Sequence, residues 1–148
     1  LIRGCHVLGV PVVVTEQYPK GIGATTTAVR DALNDATVGE ALQKMCFSGF
    51  GSEAFATALH DSGRRQVLLC GVEAHVCVFQ TCRDLLAAGF EVFIVGDGTS
   101  SRAERNRDLA IQRMTTDGAR LTTTEMALFE MTVEAGTDEF RAISRLVK

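Results

Sequence analysis

The stretch from Arg65 to Thr81 constrains the fold more than any other part of the chain. Within it, Gln66–Cys70 is a short apolar run rich in branched residues, which predicts a buried strand. Gly71 ends this run, and from His75 onward apolar residues recur at helical spacing until Gly89. A strand that passes through one short turn into a helix is the building unit of parallel α/β sheets.

The rest of the chain repeats this alternation of strand and helix. Further strands are predicted over Val10–Val14 as a fully buried parallel strand, over Leu42–Phe47 as an edge strand, over Phe90–Val95 and over Ala119–Thr122. Helices are predicted over Leu1–Leu8, Ala28–Leu33, Glu53–His60, Ala103–Thr116, Thr124–Met131 and Thr137–Val147. The pattern indicates one α/β domain with a mainly parallel sheet and right-handed crossovers.

Charge and composition disfavour several classes of partner. The 148 residues carry a net charge of −3 and no long basic run, so we expect neither nucleic acid nor an acidic membrane surface as partner. No apolar run approaches the roughly 18 residues of a membrane span, and the first residues, with Arg3 and His6, do not resemble a signal peptide.

The cysteines and histidines point to a reducing, metal-free setting. The five cysteines are an odd number, and no two of them have C-x-x-C spacing, which argues against a disulfide framework or a zinc site. The three histidines form no metal-binding motif. We therefore expect a cytoplasmic protein without a metal or another cofactor.

Cys77 is the first candidate for chemistry because it is predicted in the first turn of a helix. Free backbone N–H groups at a helix start stabilise an anion, so they favour a reactive thiolate and can also hold a substrate oxyanion. The alternative is that Cys77 is a small buried apolar residue. A redox pair with Cys82 is disfavoured, because five residues of helix separate the two by about 7.5 Å along the axis.

Two further features leave alternatives open. Lys44 interrupts an apolar stretch, so its ammonium either reaches solvent or points into a site and supports a nearby anion. The segment Thr15–Gly23 is predicted as a loop that leaves the carboxyl end of a strand. It either borders the ligand crevice of a parallel sheet or is a plain surface turn.

Several separated segments resemble the isochorismatase-like cysteine hydrolase family, and in particular its isochorismatase-domain-containing subgroup. They are Val10–Gly23, Gln43–Ser48 and Val67–Val78, with Val95–Arg102 and Leu121–Glu125 matching in place and order. The Gly-Val-x-x-x-x-Cys-Val element that contains Cys77 is the most specific of these matches. The resemblance implies a three-layer α/β/α Rossmann-like fold and a homo-oligomer.

The resemblance also implies a reaction and its residues. It predicts hydrolysis of a small amide or related substrate by an Asp-Lys-Cys triad, in which Cys77 is the nucleophile and Lys44 the lysine. It implies a cis peptide at Val72–Glu73, with the N–H groups of Glu73 and Cys77 forming an oxyanion hole. Candidate walls for the substrate are Glu16, Gln17, Tyr18 and Phe47. The Asp and paired histidines of the metal-binding nicotinamidases are absent, and His75 is expected to make a local hydrogen bond rather than to act as a base.

One departure from the family pattern concerns the triad Asp. In the family this residue ends a first, central strand that precedes the helix over Leu1–Leu8, and no residue of this chain matches it. We therefore expect a gap in the sheet between the Val10 and Gln66 strands, explained either by further residues upstream or by a truncated, inactive form. Asp97, at a strand end, is expected to be a structural cap instead. A non-catalytic binding or scaffold protein that keeps the fold is the alternative function.

Overall fold

Five strands and eight helices alternate along the chain in a computed structural model that describes residues 1–148. The strands are β1 Thr15–Gln17, β2 Leu42–Lys44, β3 Gln66–Val72, β4 Glu91–Ser100 and β5 Arg120–Thr122. The helices are α1 Ile2–Val7, α2 Pro19–Ile22, α3 Thr27–Asp35, α4 Glu53–Asp61, α5 Phe79–Ala87, α6 Glu104–Thr116, α7 Thr124–Thr132 and α8 Asp138–Leu146. A single π-helical turn, Ala74–Val78, lies between β3 and α5.

The strands form two separate parallel sheets. One sheet pairs β1 with β2, and the other has the order β3-β4-β5. All pairs are parallel, which confirms the predicted α/β class. The expected gap is also present, because β1 and β3 belong to different sheets.

Helices cover both faces of the larger sheet. Alternate residues of β4 point to opposite sides, so Val92 and Ile94 join a core cluster with α4, α5 and α6, whereas the equally buried Val95 lies outside that cluster. Helices α1, α3, α7 and α8 pack together as a second layer, and α7 also contacts β4. In that layer α1 approaches α7 so closely that a Cβ on Gly4 would collide with the Leu128 side chain.

The prediction of a buried strand over Val10–Val14 is wrong. The strand begins only at Thr15, where the chain meets its partner Leu42, and Val10–Val14 is irregular and at most partly buried. The neighbouring strand β2 sets this limit, because it starts at Leu42, whose N–H donates to the Val14 carbonyl at 2.8 Å, and none of its residues pairs with Val10–Val13. Branched residues supply strand propensity, but a strand also requires a partner for its hydrogen bonds.

The prediction of a buried strand over Gln66–Cys70 is right about the strand and wrong about its burial. The strand extends to Val72 and pairs only with β4, so β3 is an edge strand. Its apolar side chains are therefore only partly buried, and Val72 is exposed. The other predicted strands and helices are present, with ends that differ by a few residues, except that the edge strand over Leu42–Phe47 stops at Lys44. The prediction of a loop over Thr15–Gly23 is wrong, because this segment contains β1 and the short helix α2.

Asp97 performs the structural role that its position suggested. Its carboxylate accepts hydrogen bonds from the backbone N–H of Thr124 at 2.8 Å and from the Thr124 hydroxyl at 3.1 Å. Thr124 is the first residue of α7, so Asp97 holds the start of this helix to the end of β4. A negative charge at a helix N-terminus is favourable. None of the helices is both long enough and apolar enough to span a membrane.

Truncation of Ile94 tests the core of the larger sheet. Ile94 is fully buried in β4, so Ile94→Ala should lower the free energy of unfolding by about 2–5 kcal/mol in a denaturant titration. Leu109→Ala is the matched control, because Leu109 on α6 is 62% exposed and its loss should cost less than about 0.5 kcal/mol. Equal effects of the two substitutions would contradict this assignment of the core.

Candidate active site

The predicted site residues come together where β1, β2 and β3 end. Gln17 is the last residue of β1 and Lys44 the last of β2, and the two are direct partners in the ladder. Cys77 lies in the turn that follows β3. The carboxyl ends of parallel strands therefore meet here, as expected for a ligand crevice in an α/β sheet.

Lys44 is buried and does not extend its ammonium to solvent. Only 6% of the residue is exposed. The Nζ atom donates to Gln17 Oε1 at 2.6 Å, to the Phe47 carbonyl at 2.8 Å and to the Cys46 carbonyl at 3.0 Å. These three acceptors use all three N–H groups of the ammonium, and none of them is a carboxylate. The backbone turns after Lys44 to present these carbonyls, which is why the predicted edge strand stops there.

Gln17 stands between the lysine and the cysteine. Its Oε1 atom accepts from Lys44 Nζ and lies 3.9 Å from Cys77 Sγ, within the distance of a weak S–H···O hydrogen bond. Its Nε2 atom donates to the Met45 carbonyl at 2.8 Å, which fixes the carboxamide in this orientation. The sequence predicts Gln17 as part of a substrate wall, and the structure places its carboxamide between Lys44 and Cys77.

Cys77 lies in a π-helical turn rather than in the first turn of an α-helix. The turn covers Ala74–Val78 and continues directly into α5, and the N–H groups of Val76 and Val78 share the Glu73 carbonyl. A π-helical turn contains one residue more than the corresponding α-helical turn, and such turns are frequent at functional sites. Sequence periodicity did not reveal it, because one extra residue barely disturbs the apolar pattern.

Thr81 connects the helix of Cys77 to the segment that surrounds Lys44. Its hydroxyl donates to the Cys77 carbonyl at 2.7 Å and accepts from the N–H of Gly49 at 2.7 Å. This buried contact fixes the two parts of the site relative to each other. The sequence gave no signal for it, because the residues are 32 positions apart and a threonine in a helix is common.

The turn before Cys77 carries a second polar group of contacts. The Val72–Glu73 peptide bond is cis, and the N–H of Glu73 has no protein acceptor. The Glu73 carboxylate accepts from the N–H of Arg102 at 3.0 Å and lies 3.8 Å from His75 Nε2. His75 Nδ1 is 3.0 Å from the Ser101 hydroxyl, so its hydrogen bond reaches the residue that follows β4 rather than a close neighbour in sequence.

The other predicted wall residues lie at the rim. Tyr18, which directly follows β1, is 46% exposed, and Phe47, three residues after the end of β2, is 51% exposed. The Tyr18 ring rests on Gly21, where a Cβ would collide with it. Exposed Ile22 and Met45 extend the apolar rim and were not predicted. They were missed because exposed apolar residues in loops look the same in sequence whether or not they adjoin a site.

The Glu16 carboxylate is hydrogen-bonded to the segment between α2 and α3. Its Oε1 atom accepts from the N–H of Thr25 at 2.7 Å. Hydrogen bonding by the Thr25 side chain and backbone lowers the pKa of the Glu16 carboxyl. Glu16 therefore anchors the segment that contains Thr25.

The remaining thiols differ from Cys77 in their surroundings. Cys5 and Cys82 are buried, and burial raises the pKa of Cys5 and raises that of Cys82 to about 11. Cys46 and Cys70 are exposed, and all five cysteines are free. No group of three or more His, Cys, Asp or Glu side chains is arranged to hold a metal ion.

Comparisons with known proteins identify the family of this chain. The family model described as Isochorismatase domain matches residues 1–126. A secreted isochorismatase effector of Phytophthora sojae is 40% identical over 149 aligned positions, covering 100% of this chain and 71% of the relative. Isochorismatase domain-containing protein 1 of Danio rerio is also 40% identical, and this chain spans about half of it, 51%.

Solved structures show the same fold. The MAR1 ribonuclease of Caenorhabditis elegans superposes with a TM-score of 0.88 at 34% identity, over 99% of this chain and 73% of that one. An octameric hydrolase of unknown specificity from Escherichia coli superposes with a TM-score of 0.84 at 21% identity, over 99% of this chain and 76% of that one.

The architecture is therefore that of the isochorismatase-like hydrolases, with parallel strands flanked by helices. The chain belongs to the isochorismatase family.

Replacing Glu16 tests its anchoring of the loop by pH. Because the pKa of Glu16 is lowered in the folded state, its contribution to stability is present above the pKa of the unfolded chain and is lost as pH falls through the folded pKa. Glu16→Gln should be less stable than wild type at neutral pH, and the two unfolding free energies should converge in acid. Glu40→Gln controls for the loss of one exposed charge. Wild-type and Glu16→Gln curves that stay parallel down to about pH 2 would contradict the assignment.

Proposed function

We propose that the protein is a cysteine hydrolase that cleaves a small amide or related substrate through a covalent intermediate on Cys77. One observation carries the proposal: a single oxygen, Gln17 Oε1, joins the buried ammonium of Lys44 to the sulfur of Cys77 at the carboxyl ends of the strands. A cation beside a cysteine at a helix start is an arrangement that activates a thiol nucleophile.

In the proposed reaction the Cys77 thiolate attacks the substrate carbonyl. A carbon–sulfur bond forms and the carbon–nitrogen bond breaks, and the proton that Cys77 lost when its thiolate formed passes to the leaving amine. Water then cleaves the thioester, so the carboxylic acid leaves and the thiol is restored. The N–H groups of Glu73 and Cys77 serve as oxyanion donors, and the free N–H of Glu73 supports the first of these roles. Glu16, Tyr18 and Phe47 form the walls around the substrate.

None of the groups that contact Lys44 or Cys77 is a candidate for the proton shuttle of the triad. In an Asp-Lys-Cys triad a carboxylate moves the proton, but the acceptors of Lys44 are an amide and two backbone carbonyls. The alternative proposal is a non-catalytic binding or scaffold protein that keeps the fold.

The class of substrate has a second candidate. The name of the C. elegans neighbour describes a ribonuclease, so RNA belongs among the substrates to be tested. A net charge of −3 and an apolar rim of Tyr18, Ile22, Met45 and Phe47 argue for a small uncharged substrate instead.

Assembly and location are part of the same proposal. The E. coli neighbour is described as octameric, which supports a homo-oligomer here. Five free cysteines and no disulfide support a reducing compartment such as the cytoplasm, although the name of the P. sojae relative describes that protein as secreted.

Removing the sulfur tests the nucleophile. Cys77→Ala should lower amide hydrolysis, measured as ammonia release over a panel of small amides, by at least about a thousandfold while leaving the melting temperature nearly unchanged. Cys46→Ala is the matched control, because Cys46 is exposed next to the Lys44 segment. Hydrolysis that survives Cys77→Ala would overturn the assignment. Wild-type protein that cleaves neither amides nor RNA would favour the scaffold.

Removing the buried charge tests the role of Lys44. The distances to Gln17 Oε1, 2.6 Å from Lys44 Nζ and 3.9 Å from Cys77 Sγ, set an upper limit on the separation of the ammonium and the sulfur. At an effective dielectric constant of about 20, a cation at roughly 6 Å favours a thiolate by roughly 2–3 kcal/mol. Lys44→Met should therefore slow alkylation of Cys77 by iodoacetamide at pH 7 roughly tenfold to a hundredfold. Lys20→Met, which removes an exposed lysine of α2, should leave the rate unchanged. An unchanged rate in Lys44→Met would show that the cation does not act on the sulfur.

A further inference from the structure

We infer that Gln17 is a positioning residue that holds Cys77 as a neutral thiol in the resting protein and withholds the Lys44 ammonium from its sulfur. This inference rests on the proposed function, because it concerns the state of the proposed nucleophile. It starts from one carboxamide oxygen that faces two donors, Lys44 Nζ at 2.6 Å and Cys77 Sγ at 3.9 Å.

The orientation of the carboxamide follows from its partners. Nε2 donates to the Met45 carbonyl at 2.8 Å, and that carbonyl can only accept. If the carboxamide were flipped, its NH2 group would face the Lys44 ammonium, which can only donate, and its oxygen would face the Met45 carbonyl oxygen, which can only accept. The acceptor end of Gln17 must therefore point toward Lys44 and Cys77.

Because Gln17 Oε1 faces Cys77 Sγ as a hydrogen-bond acceptor, it favours the protonated form of the cysteine. A thiol can donate its proton to Oε1, whereas a thiolate at the same place would meet the lone pairs of an oxygen. The ammonium cannot compensate by direct contact, because its three N–H groups are taken by Gln17, Cys46 and Phe47. Ionisation of Cys77 therefore requires an exchange, in which a Lys44 N–H leaves Oε1 for the sulfur or the carboxamide turns away.

This exchange of hydrogen bonds would let Gln17 control the reactivity of Cys77 as well as contact the substrate. A ligand that hydrogen-bonds the carboxamide, or displaces it, would release the lysine toward the sulfur. The thiolate would then form when the crevice is occupied, and the resting protein would be protected against alkylation and oxidation. In this reading Gln17 couples binding at the crevice to the reactivity of Cys77.

Other charged groups near Cys77 are common to wild type and the Gln17 variants. They are Lys44 on β2, Glu16 on β1, Glu73 and His75 in the same turn, Arg102 after β4, and Arg113 of α6, whose guanidinium lies over the Phe79 ring. Differences between the Gln17 variants therefore report on the carboxamide itself.

The test is the pH dependence of alkylation of Cys77 by iodoacetamide, followed by mass spectrometry of the labelled peptides. The background carries Cys46→Ser and Cys70→Ser, which remove the two exposed thiols. Gln17→Met keeps the length of the side chain and removes the acceptor, so the midpoint of the alkylation curve should move down by about one pH unit, with roughly tenfold faster labelling below it. Gln17→Glu places a negative charge beside the sulfur, so the midpoint should move up and labelling should slow.

A purely structural role of Gln17 would not move the midpoint of the alkylation curve in opposite directions in Gln17→Met and Gln17→Glu. Gln43→Met is the matched control, because Gln43 is the exposed neighbour of Lys44 in β2, and its curve should coincide with that of wild type. Gln17→Asn, which withdraws the oxygen by one methylene, provides a second variant that should shift the midpoint in the same direction as methionine. Unfolding curves establish that each labelled variant is folded.

Two results would overturn the inference: a midpoint in Gln17→Met or Gln17→Asn that stays or rises, or a shift in the same direction for methionine and glutamate. Neither result depends on turnover, because the labelling uses no substrate. If hydrolysis depends on Cys77 but the midpoint of the alkylation curve is unchanged in Gln17→Met, only the proposed role of Gln17 is refuted. Hydrolysis that survives Cys77→Ala would refute the proposed function and leave the labelling result standing.

Discussion

A buried ammonium surrounded by neutral oxygens organises the site and much of the chain around it. Taking the charge of Lys44 out of water is costly, and the protein offsets this cost by replacing three water contacts with three short hydrogen bonds. Two of the acceptors are successive carbonyls just after Lys44. The backbone must therefore turn at that point, so β2 ends, and the third acceptor requires Gln17 to lie directly opposite in β1. The short parallel pair and the cage around the lysine depend on each other.

The division into two sheets explains which parts of the fold are firmly held and which are exposed. The core cluster belongs to β3, β4 and the helices α4 to α6, where Ile94 and Leu85 are fully buried. By contrast, β1 and β2 pair over three residues only, and the apolar residues of β3 on the side of the gap are partly exposed. The site lies between the two parts. Long-range contacts, such as the hydrogen bond between Thr81 and Gly49, therefore fix the position of Lys44 relative to Cys77.

Sequence reasoning was most successful where one segment decides its own structure. The strand and the helix around Cys77 could be predicted because most of the information lies within about twenty residues, and Asp97 makes the predicted cap although it lies within β4 and not at its end. It failed where the decision lies with a distant partner. The valines before Thr15 have every propensity for a strand, but their pairing depends on where β2 begins. The bridge at Gln17 could not be predicted either, since it depends on the orientation of one carboxamide between residues 27 and 60 positions away.

The contrast between Cys77 and Cys82 shows how the fold distinguishes one sulfur from another. Both lie on the same continuous helical segment, five residues apart, and composition alone treats them alike. Cys82 is packed into the core, where desolvation raises its pKa to about 11 and leaves it a small apolar residue at physiological pH. Cys77 is partly exposed at the crevice and meets a polar oxygen instead of hydrocarbon. The π-helical turn contributes to this difference, because one additional residue before α5 changes which side of the helix each sulfur occupies. Local backbone geometry therefore decides which thiol faces the lysine and which fills the core.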